Sequence, residues 1–109
     1  MELTKDANLL ACCMYKEYLE RRKNGIPKRK AIYFKPDSKK NDVRVASWIQ
    51  DDYFYTLGEL RRAGLVRTDL DNAAILTDKF IVYMENRFKD GIQDVLSFLS
   101  TFFPIITNL

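Results

Sequence analysis

Ten basic side chains lie between Lys16 and Lys40: Lys16, Arg21, Arg22, Lys23, Lys28, Arg29, Lys30, Lys35, Lys39 and Lys40. Only Glu17, Glu20 and Asp37 oppose them, so the segment carries +7 in a chain of net +3, and the remainder sums to −4. Tyr33 and Phe34 stand inside this block. Cations interleaved with aromatic rings suit a phosphate backbone. A solvated basic face without a ligand has the same composition, and the sequence leaves both readings open.

Other chemistries are poorly supplied. The chain has no histidine, which removes every His-based acid–base or nucleophile arrangement. Cys12 and Cys13 are adjacent, and a bridge between neighbours is strained. Without histidine or a third cysteine they cannot complete a structural zinc site, so two buried thiols are expected. Asp51 and Asp52 are neighbours on an expected helix and face different directions, so they do not form a carboxylate pair. The four glycines are isolated, which leaves no phosphate-cradling loop. No serine has a nucleophile setting. The expectation is a chain with no catalytic residue, metal ligand, cofactor or small-molecule substrate.

The elements that would position the basic block follow from periodicity and caps. At 109 residues, with 47% apolar and 30% charged side chains, one domain over 1–109 is expected. No apolar run reaches the roughly 18 residues that span a membrane. No basic-then-apolar leader opens the chain, so a cytoplasmic location is expected.

Thr4 can cap a helix running to Asn24, with Ala7, Leu10, Ala11, Met14 and Tyr18 on one face, widened by Leu9 and Cys13. Asn24-Gly25 stops it. Pro27 opens a short helix over Lys28 to Phe34, or a strand over Ala31 to Phe34. Lys35 to Asn41 reads as a polar loop. Asp42 precedes a short helix holding Val43, Ala46, Trp48 and Ile49.

A further helix starts at Gln50, its apolar residues three or four apart. Asp51 and Asp52 suit its positive end, and Arg61 and Arg62 its negative end. Gly64 ends it. Leu65-Val66-Arg67 and Ala74-Ile75-Leu76 are two strands, joined by turn residues Asp69 to Asn72. Thr77 caps the next helix.

The order of helix, glycine stop, strand, turn, strand and new helix in "LRRAGLVRTDLDNAAILTDKF" resembles the second half of a winged helix-turn-helix domain. The runs "LTDKFIVYMENRFKDGIQDVLSFLS" and "CCMYKEYLERRKNGIPKRKA" resemble small winged-helix proteins of Gram-positive bacteria and their prophages, and more distantly YjcQ-type proteins. The resemblance implies a mainly α fold with a small two- or three-stranded β-wing and an added long C-terminal helix. Residues 1–76 would hold the helices and wing, and 77–109 the extension. It implies no established activity. A Lys-rich loop stands where a compact second helix is expected.

The winged-helix resemblance leads to the expectation of a nucleic-acid-binding or regulator-like module. Its near contacts would be Tyr53, Tyr55, Thr56, Arg61, Arg62 and Arg67. Arg21, Arg22, Lys23, Lys28, Arg29, Lys30, Lys39 and Lys40 would supply phosphate contacts. Charge opposes part of this expectation. The helix start has Asp51 and Asp52, the wing tip has Asp69 and Asp71, and carboxylates repel phosphates.

The last third keeps one apolar stripe: Ile81, Met84, Phe88, Ile92, Val95, Leu99 and Phe102. Its phase survives Asp90-Gly91, so it reads equally as one helix or two. Ile92, Leu96, Leu99, Phe103 and Ile106 approach the spacing of a helix–helix seam. A homodimer interface is expected through Ile92, Val95, Leu96, Leu99, Phe102, Phe103 and Ile106. The alternatives are packing against the first helix and a protein-interaction module without DNA binding.

Overall fold

The computed structural model describes residues 1–105 and is mainly helical, with one small three-stranded antiparallel sheet. Helix α1, Lys5–Lys23, is its axis. Thr4 Oγ1 accepts from the Ala7 N–H at 3.2 Å, and Asp6 sits in the first turn, favouring the N-terminus. At the other end Ile26 N donates to Arg21 O and Gly25 N to Arg22 O. Gly25 takes a positive φ of 83°, so the pair forms a Schellman stop.

The expected face of α1 is buried, and so are Cys12 and Tyr15. The extra burial has a cause the periodicity of α1 alone does not contain. Helix α4, Gln50–Arg62, packs on one side of α1, and helix α6, Ile92–Phe102, packs on another. Tyr15 meets Tyr18, Phe80 and Phe88 with ring centroids about 6 Å apart, a separation favourable for aromatic pairs.

The segment after α1 resolves both readings offered for it. Lys28–Ala31 is a single helical turn, α2, and Tyr33–Phe34 is strand β1. A 3-10 turn at Ser38–Asn41 lies within the expected polar loop. Helix α3, Val43–Ala46, is capped by Asp42, whose Oδ1 accepts from Arg44 N at 3.0 Å. Trp48 and Ile49, expected inside this helix, lie beyond it. The turn closes through Trp48 N to Val45 O, and Ile49 is extended before α4 begins.

Strands β2, Val66–Thr68, and β3, Ala74–Leu76, follow α4. The sheet order is β1-β3-β2, so β3 is the middle strand. Asp69 Oδ1 accepts from Asp71 N and Ala73 N, which closes the turn between β2 and β3. Thr77 Oγ1 accepts from Phe80 N at the start of helix α5, Asp78–Arg87.

Of the two readings of the last third, the structure has two helices in place of the one long helix the resemblance implies. Gly91 has φ 64° and ψ −123°, a conformation outside the helical region that suits glycine. The break lets α6 fold back onto α1. Val95 and Leu99 thereby enter the core beside Met84, Phe80 and Leu10. No helix among the described residues is long and apolar enough to cross a membrane.

Candidate nucleic-acid interface

Arg21 organises the basic end of the molecule. Its Nη1 donates to Ala31 O at 3.0 Å and to Tyr33 O at 2.7 Å. Its Nη2 pairs with Glu17, and its guanidinium lies 4.2 Å from the centre of the Phe34 ring. One side chain thus ties the end of α1 to α2 and β1. A planar fork can hold several acceptors at once in this way. Three of its five N–H donors are thus engaged inside the protein, so Arg21, expected as a phosphate contact, acts first as an internal fastening.

Beside this fastening lies an open cleft of about 680 Å³. Its charged and aromatic wall is Arg21, Lys30, Tyr33, Lys35, Asp37 and Lys40. Lys40 Nζ pairs with Asp37 at 2.8 Å. The hydrogen bond and charge of Lys40 hold the Asp37 carboxyl below its ordinary pKa, so it stays ionised and offsets that lysine. Lys30 and Lys35 are exposed and have no acidic partner within 4 Å among the described residues. They supply the cleft's surplus positive charge.

Of the sheet, Tyr33 alone lines the cleft. Tyr33 on β1 is opposite Ile75 on β3, and Ile75 is opposite Arg67 on β2. Residues directly opposite in a ladder share a face, so Tyr33, Ile75 and Arg67 form one row. Tyr33 is 37% exposed and Arg67 is exposed, whereas Phe34 and Ala74 in the next row are buried. Two strand spacings separate Tyr33 from Arg67, about 10 Å. The row thus joins the basic block to Arg67.

The remaining expected contacts divide. Arg22 Nη1 donates to Ile26 O at 3.1 Å on an exposed helix end. Lys23, Lys28 and Arg29 are exposed, while Lys39 is half-buried and donates to Ala46 O at 3.0 Å. Tyr53 and Thr56 are buried, which corrects their expected role as contacts. Both lie on the side of α4 that faces α1, with Leu57 and Leu60, and Thr56 Oγ1 donates back to Asp52 O at 2.8 Å. Burial pushes the Tyr53 hydroxyl up to about 12.

Tyr55, Arg61 and Arg62 remain exposed on α4, the Arg62 guanidinium 5.9 Å from the Tyr55 ring. Arg61 lines a groove of about 270 Å³ between α4 and the strand pair, with Phe54, Gly58, Thr68 and Asn72. Asp51, Asp52, Asp69 and Asp71 are exposed at the two tips, and Leu70 is fully exposed between the last two.

The set expected between subunits also divides. Val95 and Leu99 are fully buried inside the chain's own core. The physical reason is the reversal at Gly91, which turns their face onto α1. Ile92 and Phe103 are half-buried against that core, while Leu96 and Phe102 are exposed. Ile106 lies outside the described residues.

Tyr33 and Lys35 belong to the basic block in the sequence but not to its expected contacts. The signal that would have separated them is strand alternation: in a two-residue strand with Phe34 turned inward, Tyr33 must turn outward. Cys12 and Cys13 are both buried, as expected. Burial pushes the Cys12 thiol up to about 11, while Cys13 is raised by burial and by the neighbouring Asp42. No group of three or more potential metal ligands is found among the described residues. No protein-family model, curated protein or solved structure matches the chain.

Proposed function

We propose that this protein is a non-catalytic winged-helix module that binds nucleic acid through phosphate contacts at its basic cleft. The observation that carries the proposal is the pair Lys30 and Lys35, exposed and without acidic partners among the described residues, in a cleft whose wall includes Tyr33, which shares a sheet row with Arg67. The winged-helix part is supported by element order: α4, a Schellman stop, β2, a turn, β3 and a capped α5, with β1 closing the sheet. The contact surface differs from the one the resemblance implies, because α4 presents Asp51 and Asp52 and buries Tyr53 and Thr56.

The test is fluorescence anisotropy with labelled nucleic acid, duplex and single-stranded, from low to physiological salt. Binding that weakens linearly in log–log form with salt is expected, since displaced counterions set the slope. Lys30→Glu with Lys35→Glu should weaken binding to every sequence alike and flatten that slope by about one for each phosphate no longer neutralised. Absence of binding at low salt would end this reading.

A second reading, a protein-interaction or dimerisation module without nucleic-acid binding, draws on a different surface. Phe102 is 63% exposed at the end of α6, and Val43 and Ile105 are exposed along a groove of about 470 Å³ that Phe103 also lines. Light scattering distinguishes the cases. A dimer mass that Phe102→Ser converts to monomer favours this reading, and a monomer at high concentration opposes self-association.

A further inference from the structure

We infer that the nucleic acid bound at the cleft is single-stranded, with one base stacked on Tyr33 and its flanking phosphates held by Lys30 and Lys35 on one side and Arg67 on the other. This rests on the nucleic-acid reading above and specifies its ligand.

Three observations point the same way. The first is the position of Tyr33. Its ring is partly exposed on the outer face of the sheet, and its backbone carbonyl is fixed by the Arg21 Nη1 bond at 2.7 Å. An aromatic ring held by the fold can stack any unpaired base, because every base has a π-face. Bases in a duplex are already stacked and paired, so a duplex cannot use this ring.

The second observation is the shape of the site. Lys30 and Lys35 line a concavity of about 680 Å³ between the end of α1, β1 and the 3-10 turn. A flexible strand can enter a concavity of that size, whereas the rigid outer surface of a duplex bridges it. The row Tyr33, Ile75, Arg67 then gives the strand a path across the sheet to a third cation, about 10 Å from Tyr33.

The third is the charge at the surfaces a duplex would need. Docking α4 in a groove would bring exposed Asp51 and Asp52 to the phosphates, and docking the turn between β2 and β3 would bring exposed Asp69 and Asp71. Neither acidic tip lines the cleft. A single strand seated at Lys30, Tyr33 and Lys35 meets a wall that includes neither tip.

The experiment compares labelled dT12 and rU12 with a random 30-base-pair duplex by anisotropy at matched salt. Wild type is expected to bind the single strands more tightly. Tyr33→Ala should weaken single-strand binding roughly five- to 150-fold, the range for one base stack removed. Tyr33→Phe should retain it, and Tyr33→Ala should weaken single-strand binding more than duplex binding. Three phosphate contacts predict a salt slope of about −2 for single strands, and Arg67→Gln should reduce it by about 0.7.

Arg67→Gln lies on the far edge strand, so it tests the path if Tyr33→Ala disturbs folding. Preference for duplex, or single-strand binding indifferent to both Tyr33→Ala and Arg67→Gln, overturns this inference and leaves the nucleic-acid reading standing. Full competition by micromolar AMP would mark a mononucleotide site and also overturn it. Binding to neither form ends both.

Discussion

Arg21 shows how one side chain can decide what its neighbours do. Its bonds to Ala31 O and Tyr33 O, its pair with Glu17 and its stacking on Phe34 hold three elements together. Arg21→Ala should destabilise the chain by about 2 kcal/mol, read from a urea midpoint, because charged hydrogen bonds are each worth more than neutral ones. Arg21→Lys should recover little, since an ammonium cannot reproduce the fork. Wild-type stability in both variants would show that the end of α1 is held by something else.

The buried hydroxyl and thiols give a pH dependence with a definite sign. Tyr53 is raised by burial from its ordinary value of 10 to about 12, and Cys12 from 9 to about 11. Cys13 is raised as well, by burial and by Asp42. A group whose folded pKa lies above its unfolded one stabilises fully below the unfolded value. That contribution is lost as pH climbs through the folded value. Stability should therefore begin to fall near pH 9 and keep falling to pH 12, by on the order of 2–3 kcal/mol each for Cys12 and Tyr53. Guanidinium midpoints across that range check the trend, and a flat profile would contradict it. Iodoacetamide at pH 8 should label both cysteines slowly in the native protein and quickly after unfolding.

Among the elements, the break between α5 and α6 governs what the last third does. The apolar stripe keeps helical phase across Gly91, yet the backbone there takes φ 64° and ψ −123°. That geometry sends α6 back along α1. A Cβ at Gly91 would meet no atom within 4 Å, so the cost of a substitution is conformational and not steric crowding. Gly91→Ala should cost on the order of 1–3 kcal/mol, the range for a strained backbone residue. A thermal shift within error of wild type would mean that the turn relaxes without loss. Gly64 differs: it ends α4 with φ 78°, and a Cβ added there would also lie 3.4 Å from the Lys79 side chain.

For the molecule as a whole, three surfaces differ in character. The basic cleft lies where α1 ends, the acidic tips lie at the start of α4 and between β2 and β3, and the exposed Phe102 ends α6. The interior between them is continuous: α1 touches α2, α4 and α6. Leu99 belongs to that interior. Leu99→Asp should therefore unfold the chain, at a cost above about 4 kcal/mol for a buried unpaired charge, rather than release a folded monomer. Circular dichroism with light scattering distinguishes these outcomes, and a well-folded Leu99→Asp monomer would restore Leu99 to an intersubunit seam.

Helix ends and turns were legible in the sequence because their causes are local. Thr4, Gly25, Gly64, Asp69 and Thr77 act on backbone groups within a few residues, so their types mark where α1, α4, β2, β3 and α5 begin or end. The break at Gly91 is local too, but an apolar stripe that holds its phase conceals it. The three-stranded order was not legible, since β1 is two residues long and its partner, β3, lies beyond a 3-10 turn, two helices and β2.

The candidate site divides along the same line. The surplus of positive charge between Lys16 and Lys40 is a property of composition and stands without any structure. Which of those cations face a ligand is not. Arg21 and Lys39 turn to backbone carbonyls, Lys40 to Asp37, and Lys30 and Lys35 to the cleft. Tyr53 and Thr56 show the same limit, because a helix pattern gives periodicity while only the packed neighbour decides which face is covered. An apolar stripe such as Val95 and Leu99 is identical whether a second chain or α1 covers it. Local bonding follows from the order of residues and net charge from their composition; burial and the alignment of Tyr33 with Arg67 in one row arise only when distant segments pack, because they depend on neighbours the order does not name.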